Sequence, residues 1–336
     1  MKHSIYQIII VLLFAVINSP LPAAPDLAIY KGQPRTIAHD FLDLEKDLYA
    51  GAEHHAAINA LINKALTVVN FKQNSTTEEA VKTLAQIDAL LGNEGFVYKQ
   101  NYLLGMGIQS KLLDCDNYCV IYIAIAEVMK IPIVPVYAPN HSFLRFYFND
   151  GSYLNWEPTQ GRPQPDSYYM ETLRINDKSI QKGVYMKTLT RKEFLAVEYN
   201  NMGAYLMTQK KFGEAISCFS TAIGLYPLFS SAYHNRGSSY YAGKRVSEAL
   251  TDLQMANELD PSRASTHNTL GDIYLDRGEY EKALKEYTAS IKLDPSNYVP
   301  YNNIAVIMQK LGRKDKAEVW FRKSQEIKAK HERKTD

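Results

Sequence analysis

The chain has 336 residues, enough for two domains, with 38 Lys and Arg against 36 Asp and Glu and a formal net charge of +2. That near-balance argues against a nucleic-acid specialist, and 46% hydrophobic with 22% charged residues is the composition of a soluble globular chain. Its 3 cysteines are too few for a disulfide framework, and the odd count leaves at least one free thiol.

The first residues carry Lys2, an apolar run from Ile8 to Ile17 and a small-residue region ending at Pro25. This pattern reads as a secretory signal peptide over residues 1–24, too short for a transmembrane span, with an uncleaved anchor as the alternative. No cysteine follows the apolar run, which argues against a lipoprotein. The expectation is an exported protein, bacterial periplasmic or secreted, with no stable membrane span once the signal is removed.

Helical apolar spacing follows over Thr36–Tyr49, His54–Val69 and Thr77–Leu91, and Thr76 with Glu79 predicts a capping box before the third helix. Asp114 is an N-cap for a helix that is apolar almost all round to Met129, hence buried. Cys115 stands at its N-terminus, where unpaired N–H groups and the macrodipole favour a thiolate. The competing reading makes Cys115 a small core residue. Ile131-Pro132 ends the helix, Ile133–Tyr137 reads as a strand, and His141 opens the next one.

Ser142 to Phe148 alternates as a strand, Asn149-Asp150-Gly151 is a turn, and Ser152 to Glu157 returns. A two-residue turn pairs Leu144 with Glu157 and puts His141 on the opposite face. A three-residue loop with Gly151 in the left-handed region pairs Phe143 with Glu157, so that His141 and Glu157 share a face as diagonal neighbours. The three-residue loop is the prediction.

Cys115, Ile131-Pro132, His141, Tyr153 and Glu157-Pro158-Thr159 together resemble the core of the transglutaminase-like superfamily of papain-like thiol enzymes, over roughly residues 95 to 165. The resemblance implies an α+β domain with a helical N-terminal part, a buried Cys helix and an antiparallel sheet. It also implies Cys115 as nucleophile, His141 as general base and Glu157 as the group that orients the imidazole. Glu157 replaces the family's usual Asp, Asn155 is an alternative orienter, and Lys130 stands where the family often has Gly. The backbone N–H of Cys115 and a donor among Gln100, Asn101, Tyr102 and Gln109 are the oxyanion-hole candidates. Cys119, one helical turn on, ranks second as nucleophile, and Cys218 is expected in a core. No metal site or cofactor is expected. Residues 161 to 179, with Pro163 and Pro165, are expected as a loop over the site.

A repeat dominates the C-terminal part. Gly203, Gly237, Gly271 and Ala305 recur every 34 residues, as do Ala215, Ala249, Ala283 and Ala317, and Phe219, Leu253, Tyr287 and Phe321. Pro227, Pro261 and Pro295 close the first three units. This is the tetratricopeptide (TPR) period, predicting an all-α solenoid of four units: 196–229, 230–263, 264–297 and 298–331. The expected organisation is thus signal 1–24, thiol domain 25–190, TPR array 191–331 and basic tail 332–336. Asn201, Asn235, Asn268 and Asn302 lie where first-helix side chains of such an array can hydrogen-bond a peptide or protein partner in the groove.

These readings converge on an exported thiol enzyme, hydrolysing or transferring a peptide or amide acyl group through a Cys115 thioester, with the array recruiting a protein partner or substrate. The alternative is a non-catalytic TPR adaptor carrying an inactive thiol domain. A redox protein using Cys115 and Cys119 is the third reading.

Overall fold

The computed structural model describes residues 29, 30 and 33–335; the leader expected over residues 1–24 lies outside the described residues. A short antiparallel pair, β1 (Ile29–Tyr30) and β2 (Gln33–Pro34), precedes α1 (Ile37–Glu45), α2 (Ala52–Val68) and α3 (Thr77–Asn93). The capping box forms at α3: Glu79 N–H donates to Thr76 Oγ1 at 3.3 Å, and Thr76 N–H donates to Glu79 Oε2 at 2.9 Å. The first helix stops at Glu45, short of the expected Tyr49. Its last side chain turns inward to accept the backbone N–H groups of Leu104 and Gly105 at 2.6 and 2.8 Å.

Next come β3 (Val97–Tyr98), α4 (Leu104–Ser110), β4 (Leu112–Leu113) and α5 (Cys115–Met129). The strands β3 and β4 pair in parallel, setting Tyr98 beside Leu113. Helix α5 is buried at every residue from Asn117 to Ala126, as its all-round apolar pattern requires. It ends on Lys130, which caps it at φ +57°, a left-handed position that glycine occupies without strain.

Helix α5 packs on an antiparallel meander of β5 (Ile133–Ala138), β6 (His141–Tyr147), β7 (Tyr153–Glu157) and β8 (Arg162–Pro163). The β6–β7 register pairs Leu144 with Trp156 and Arg145 with Asn155. This is the register of the three-residue loop. Gly151 has φ +83° and donates its N–H to Phe148 O at 3.0 Å. Two short helices, α6 (Asp166–Thr172) and α7 (Asp177–Gln181), occupy the stretch expected as a loop, because Tyr169 is drawn into the core and stacks on Phe143 with centroids 3.7 Å apart.

The remainder is an all-helical solenoid of antiparallel pairs: α8 (Arg191–Thr208) with α9 (Phe212–Leu225), α10 (Ser230–Ala242) with α11 (Val246–Leu259), α12 (Ala264–Asp276) with α13 (Tyr280–Leu293), and α14 (Val299–Lys310) with α15 (Lys314–Thr335). The periodic small residues are contact points. A Cβ on Gly203 would lie 2.6 Å from the Phe219 ring, so only glycine lets α8 and α9 close. In the last pair Ala305 stands at that position, and the corresponding ring, Phe321, is 50% exposed. Helix α15 runs on to Thr335, so the residues expected as a separate basic tail continue the helix through that point.

The array is not strung loosely after the mixed helix-and-sheet part. One hydrophobic core passes from Val136 and Tyr137 of the sheet into Ala222, Tyr226, Phe229 and Leu259 of the first two helix pairs. Arg191, at the start of α8, pairs with both Asp40 of α1 and Glu127 of α5. The start of the array is therefore anchored by ion pairs beside the apolar faces that the shared core buries.

Candidate active site

Cys115 is the first residue of α5, and the cap behind it is well made: Asp114 Oδ1 accepts Asn117 N–H at 2.9 Å and Asn117 Nδ2 at 2.8 Å. The helix N-terminus presents the sulfur toward the start of β6, where the Ser142 backbone N–H favours the thiolate. That pull is outweighed. Burial pushes the Cys115 thiol well above its ordinary range, and the negative charges of Asp116 and Asp114 push it further. The helix terminus is expected to favour the thiolate; the residue is 8% exposed and flanked by two carboxylates, and burial with these charges raises the thiol instead.

His141 and Glu157, at the facing ends of β6 and β7, do meet. His141 Nε2 lies 2.7 Å from Glu157 Oε2. The other carboxylate oxygen accepts Thr159 N–H at 3.1 Å and Thr159 Oγ1 at 2.5 Å, so Glu157, 1% exposed, is held from both sides. The imidazole thereby keeps Nδ1 as its free nitrogen. Tyr169 backs the ring, with centroids 6.2 Å apart at 26°. No hydrogen bond joins His141 to Cys115 among the described residues.

Asn155 is not the orienter. The register sets it opposite Arg145, whose Nε donates to Asn155 Oδ1 at 2.8 Å, while Asn155 Nδ2 donates to Asp166 at 2.6 Å. The amide oxygen is thus committed to β6 and the amide nitrogen to α6. Cys119 is wholly buried inside the helix, and burial raises its thiol as well. Of the upstream oxyanion-hole candidates, Asn101 donates to Leu112 O at 2.9 Å and Gln109 pairs with the Tyr49 hydroxyl.

Tyr98 was missed by the sequence reading. The β3–β4 pairing sets it next to Leu113, two residues before Cys115, and the residue is 55% exposed. Burial and the nearby Cys115, Asp114 and Glu157 hold its phenol protonated, as a hydrogen-bond donor. A two-residue strand gives almost no periodic signal, so only the parallel pairing reveals it.

The four asparagines of the array do not form a free ladder. Asn201 Nδ2 donates to Asp116 Oδ2 of the Cys helix at 3.2 Å. Asn235 donates to Asn200 at 2.8 Å, and Asn268 to Asp272 at 3.3 Å. Asn302 alone of the four makes no side-chain hydrogen bond among the described residues. The first repeat thus closes against the thiol site rather than standing away from it. Among the described residues, no cluster of three or more His, Cys, Asp or Glu is arranged to hold a metal ion, and no helix is long and apolar enough to cross a membrane.

Comparison with known proteins bears on the C-terminal part. No curated protein matches the chain. Among solved structures, a crystal structure of MamA aligns at 25% identity over 41% of this chain and 81% of its own, with a TM-score of 0.39. PilF of Pseudomonas aeruginosa aligns at 16% identity over 41% of this chain and 63% of its own, with a TM-score of 0.39. The first TPR of Spaghetti (RPAP3), bound to an HSP90 peptide, aligns at 26% identity over 35% of this chain and 93% of its own, with a TM-score of 0.34. Residues 200–264 and 299–331 match family models described as tetratricopeptide repeat, and residues 271–312 match one described as TPR repeat. The solenoid of α8–α15 is accordingly an array of tetratricopeptide repeats, a protein-interaction architecture.

Proposed function

We propose that this is an exported thiol acyl-transfer enzyme of the transglutaminase-like kind, with its TPR array holding a peptide or protein partner. The observation that carries the reading is the 2.7 Å contact between His141 Nε2 and Glu157 Oε2 at the mouth of the Cys115 helix. A buried carboxylate fixed by Thr159 has little reason to sit on an imidazole except to orient it and to stabilise its protonated form.

In this reading His141 Nδ1 takes the thiol proton as Cys115 Sγ attacks the carbonyl carbon of an amide. The oxyanion is met by the Cys115 backbone N–H and the Tyr98 hydroxyl. Collapse to the thioester expels the amine, which leaves with the proton from His141. Water or a second amine then attacks the thioester, giving its proton to His141, which returns it to the departing sulfur. Hydrolysis of a peptide or amide is the favoured outcome.

A second reading has a specific observation behind it. Cys115 is 8% exposed and its thiol is raised, as expected of a scaffold whose function lies in the repeats. The pH dependence of alkylation of each cysteine, read by mass spectrometry with and without His141→Ala, separates the two. Labelling of Cys115 below the free-thiol pKa of about 8.5, slowed by the substitution, supports the enzyme. Labelling no faster than Cys218 and indifferent to His141 supports the adaptor.

A further inference from the structure

The turn that delivers His141 closes the Ala138–His141 pair of its own sheet and is also tied to the array. Asn140, immediately before the histidine, sits at φ +53° and accepts Nη1 of Arg263 on Oδ1 at 2.9 Å. Arg263 belongs to the link between the second and third repeats, just ahead of α12. Its other terminal nitrogen donates to Ser231 of α10 at 2.6 Å and reaches the Tyr185 hydroxyl at 3.4 Å. Asp260 Oδ2 lies 3.7 Å from its Nε and accepts the Tyr185 hydroxyl at 2.7 Å. Ser231 in turn pairs with the Tyr137 hydroxyl of β5 at 2.7 Å. One buried guanidinium therefore gathers a strand, the link to the array and two successive repeats, and its remaining fork holds the residue beside the proposed base.

We propose that Arg263 is a positioning residue of the thiol site: through Asn140 it fixes the β5–β6 turn, and with it His141, so that docking of the array sets the catalytic geometry. The proposal rests on the acyl-transfer reading above. Its geometric logic is that Asn140 holds the left-handed position of a Pro-Asn turn and turns its side-chain oxygen to Arg263, 123 residues away, so the residue entering His141 is gripped from the array. His141 also has only one strong partner, Glu157, so the backbone entering it decides where Nδ1 points. Arginine suits the task because its planar fork serves two acceptors at fixed angles, which a lysine ammonium does not.

The test measures the pH profile of Cys115 alkylation by iodoacetamide in the full chain, comparing wild type, Arg263→Lys and Asn140→Gly. Glycine accepts the left-handed turn without strain and leaves the Arg263–Ser231–Tyr185 cluster untouched, so this variant keeps the test valid where Arg263→Lys fails to fold. Expected in both variants is a loss of about tenfold in the His141-dependent rate, since misplacing reacting groups by about 1 Å can cost up to ~10²-fold. Profiles superimposable on wild type overturn the positioning role while leaving the acyl-transfer reading intact. A wild type with no His141-dependent rate overturns that reading, and this proposal falls with it.

Discussion

His141 Nε2 and Glu157 Oε2 stand 2.7 Å apart because the hairpin between them contains three residues rather than two. With one residue fewer, every side chain of β7 would turn to the other face and the carboxylate would point away from the imidazole. The pairing is thus a consequence of turn chemistry, and it converts directly into reactivity. Glu157→Gln keeps the shape but removes the charge that stabilises an imidazolium. The His141-dependent rate of Cys115 alkylation should fall by about 10²-fold, the lower end of general acid–base contributions. An unchanged rate in a folded variant would sink the role assigned to Glu157.

Gly151 carries that register. It sits at φ +83° with open space where a Cβ would go, so substitution incurs only backbone strain. Gly151→Ala should cost about 1 kcal/mol, read as a lower midpoint in urea at unchanged slope. A change in slope would mean that the loop has rebuilt itself with another register.

Lys130 offers the opposite case. It closes α5 at φ +57° and is exposed, so its side chain contributes little to set against the strained conformation. Lys130→Gly should stabilise the protein by about 0.5–1 kcal/mol. Thermal unfolding measures this, and a variant no more stable than wild type would show that the lysine makes a contact worth as much as the strain.

Much of this architecture was legible before the structure. The repeats declared themselves because a helix pair must place a small residue against a large one at a fixed period, as Gly203 does against Phe219. The hairpin register followed from Asn149-Asp150-Gly151, since a left-handed glycine admits few turns. The electrostatics of Cys115 were not legible. A helix terminus is visible in sequence, whereas the burial that overrides it comes from elements far along the chain, including Asn201 of α8 against Asp116. Asn155 misled for the same reason: its partner Asp166 lies in a helix with weak apolar periodicity. The contact between Arg263 and Asn140 spans 123 residues and carries no local signal at all.

A buried acid pair at the same interface makes the last prediction. Glu45 of α1 and Glu198 of α8 are both buried, 0% and 1% exposed, and one Glu198 oxygen has no hydrogen-bond partner. Burial pushes Glu45 up to about 7 from an ordinary 4.5, against the pull of the Leu104 and Gly105 N–H groups. Burial also raises Glu198 well above its ordinary range, and the charges of Glu45, Asp114 and Asp116 add to it. Between about 4.5 and 7 the folded chain therefore holds protons that the unfolded chain has released. Stability contributed by this pair is complete at the acid end of that window and is lost as pH rises through it, by an amount on the order of 3 kcal/mol for Glu45. Glu198→Gln keeps the shape of the protonated acid and cannot ionise, so it should flatten the fall in melting temperature between pH 5 and pH 8 and leave the variant more stable than wild type at pH 8. Glu45→Gln should instead destabilise by about 1–3 kcal/mol at pH 5, because one of the two N–H groups at the start of α4 loses its acceptor, and this deficit should shrink towards pH 8, where the variant has no carboxyl to ionise. Melting curves at both pH values decide the matter: equal pH dependence in wild type and Glu198→Gln would mean that Glu198 does not release a proton in this range.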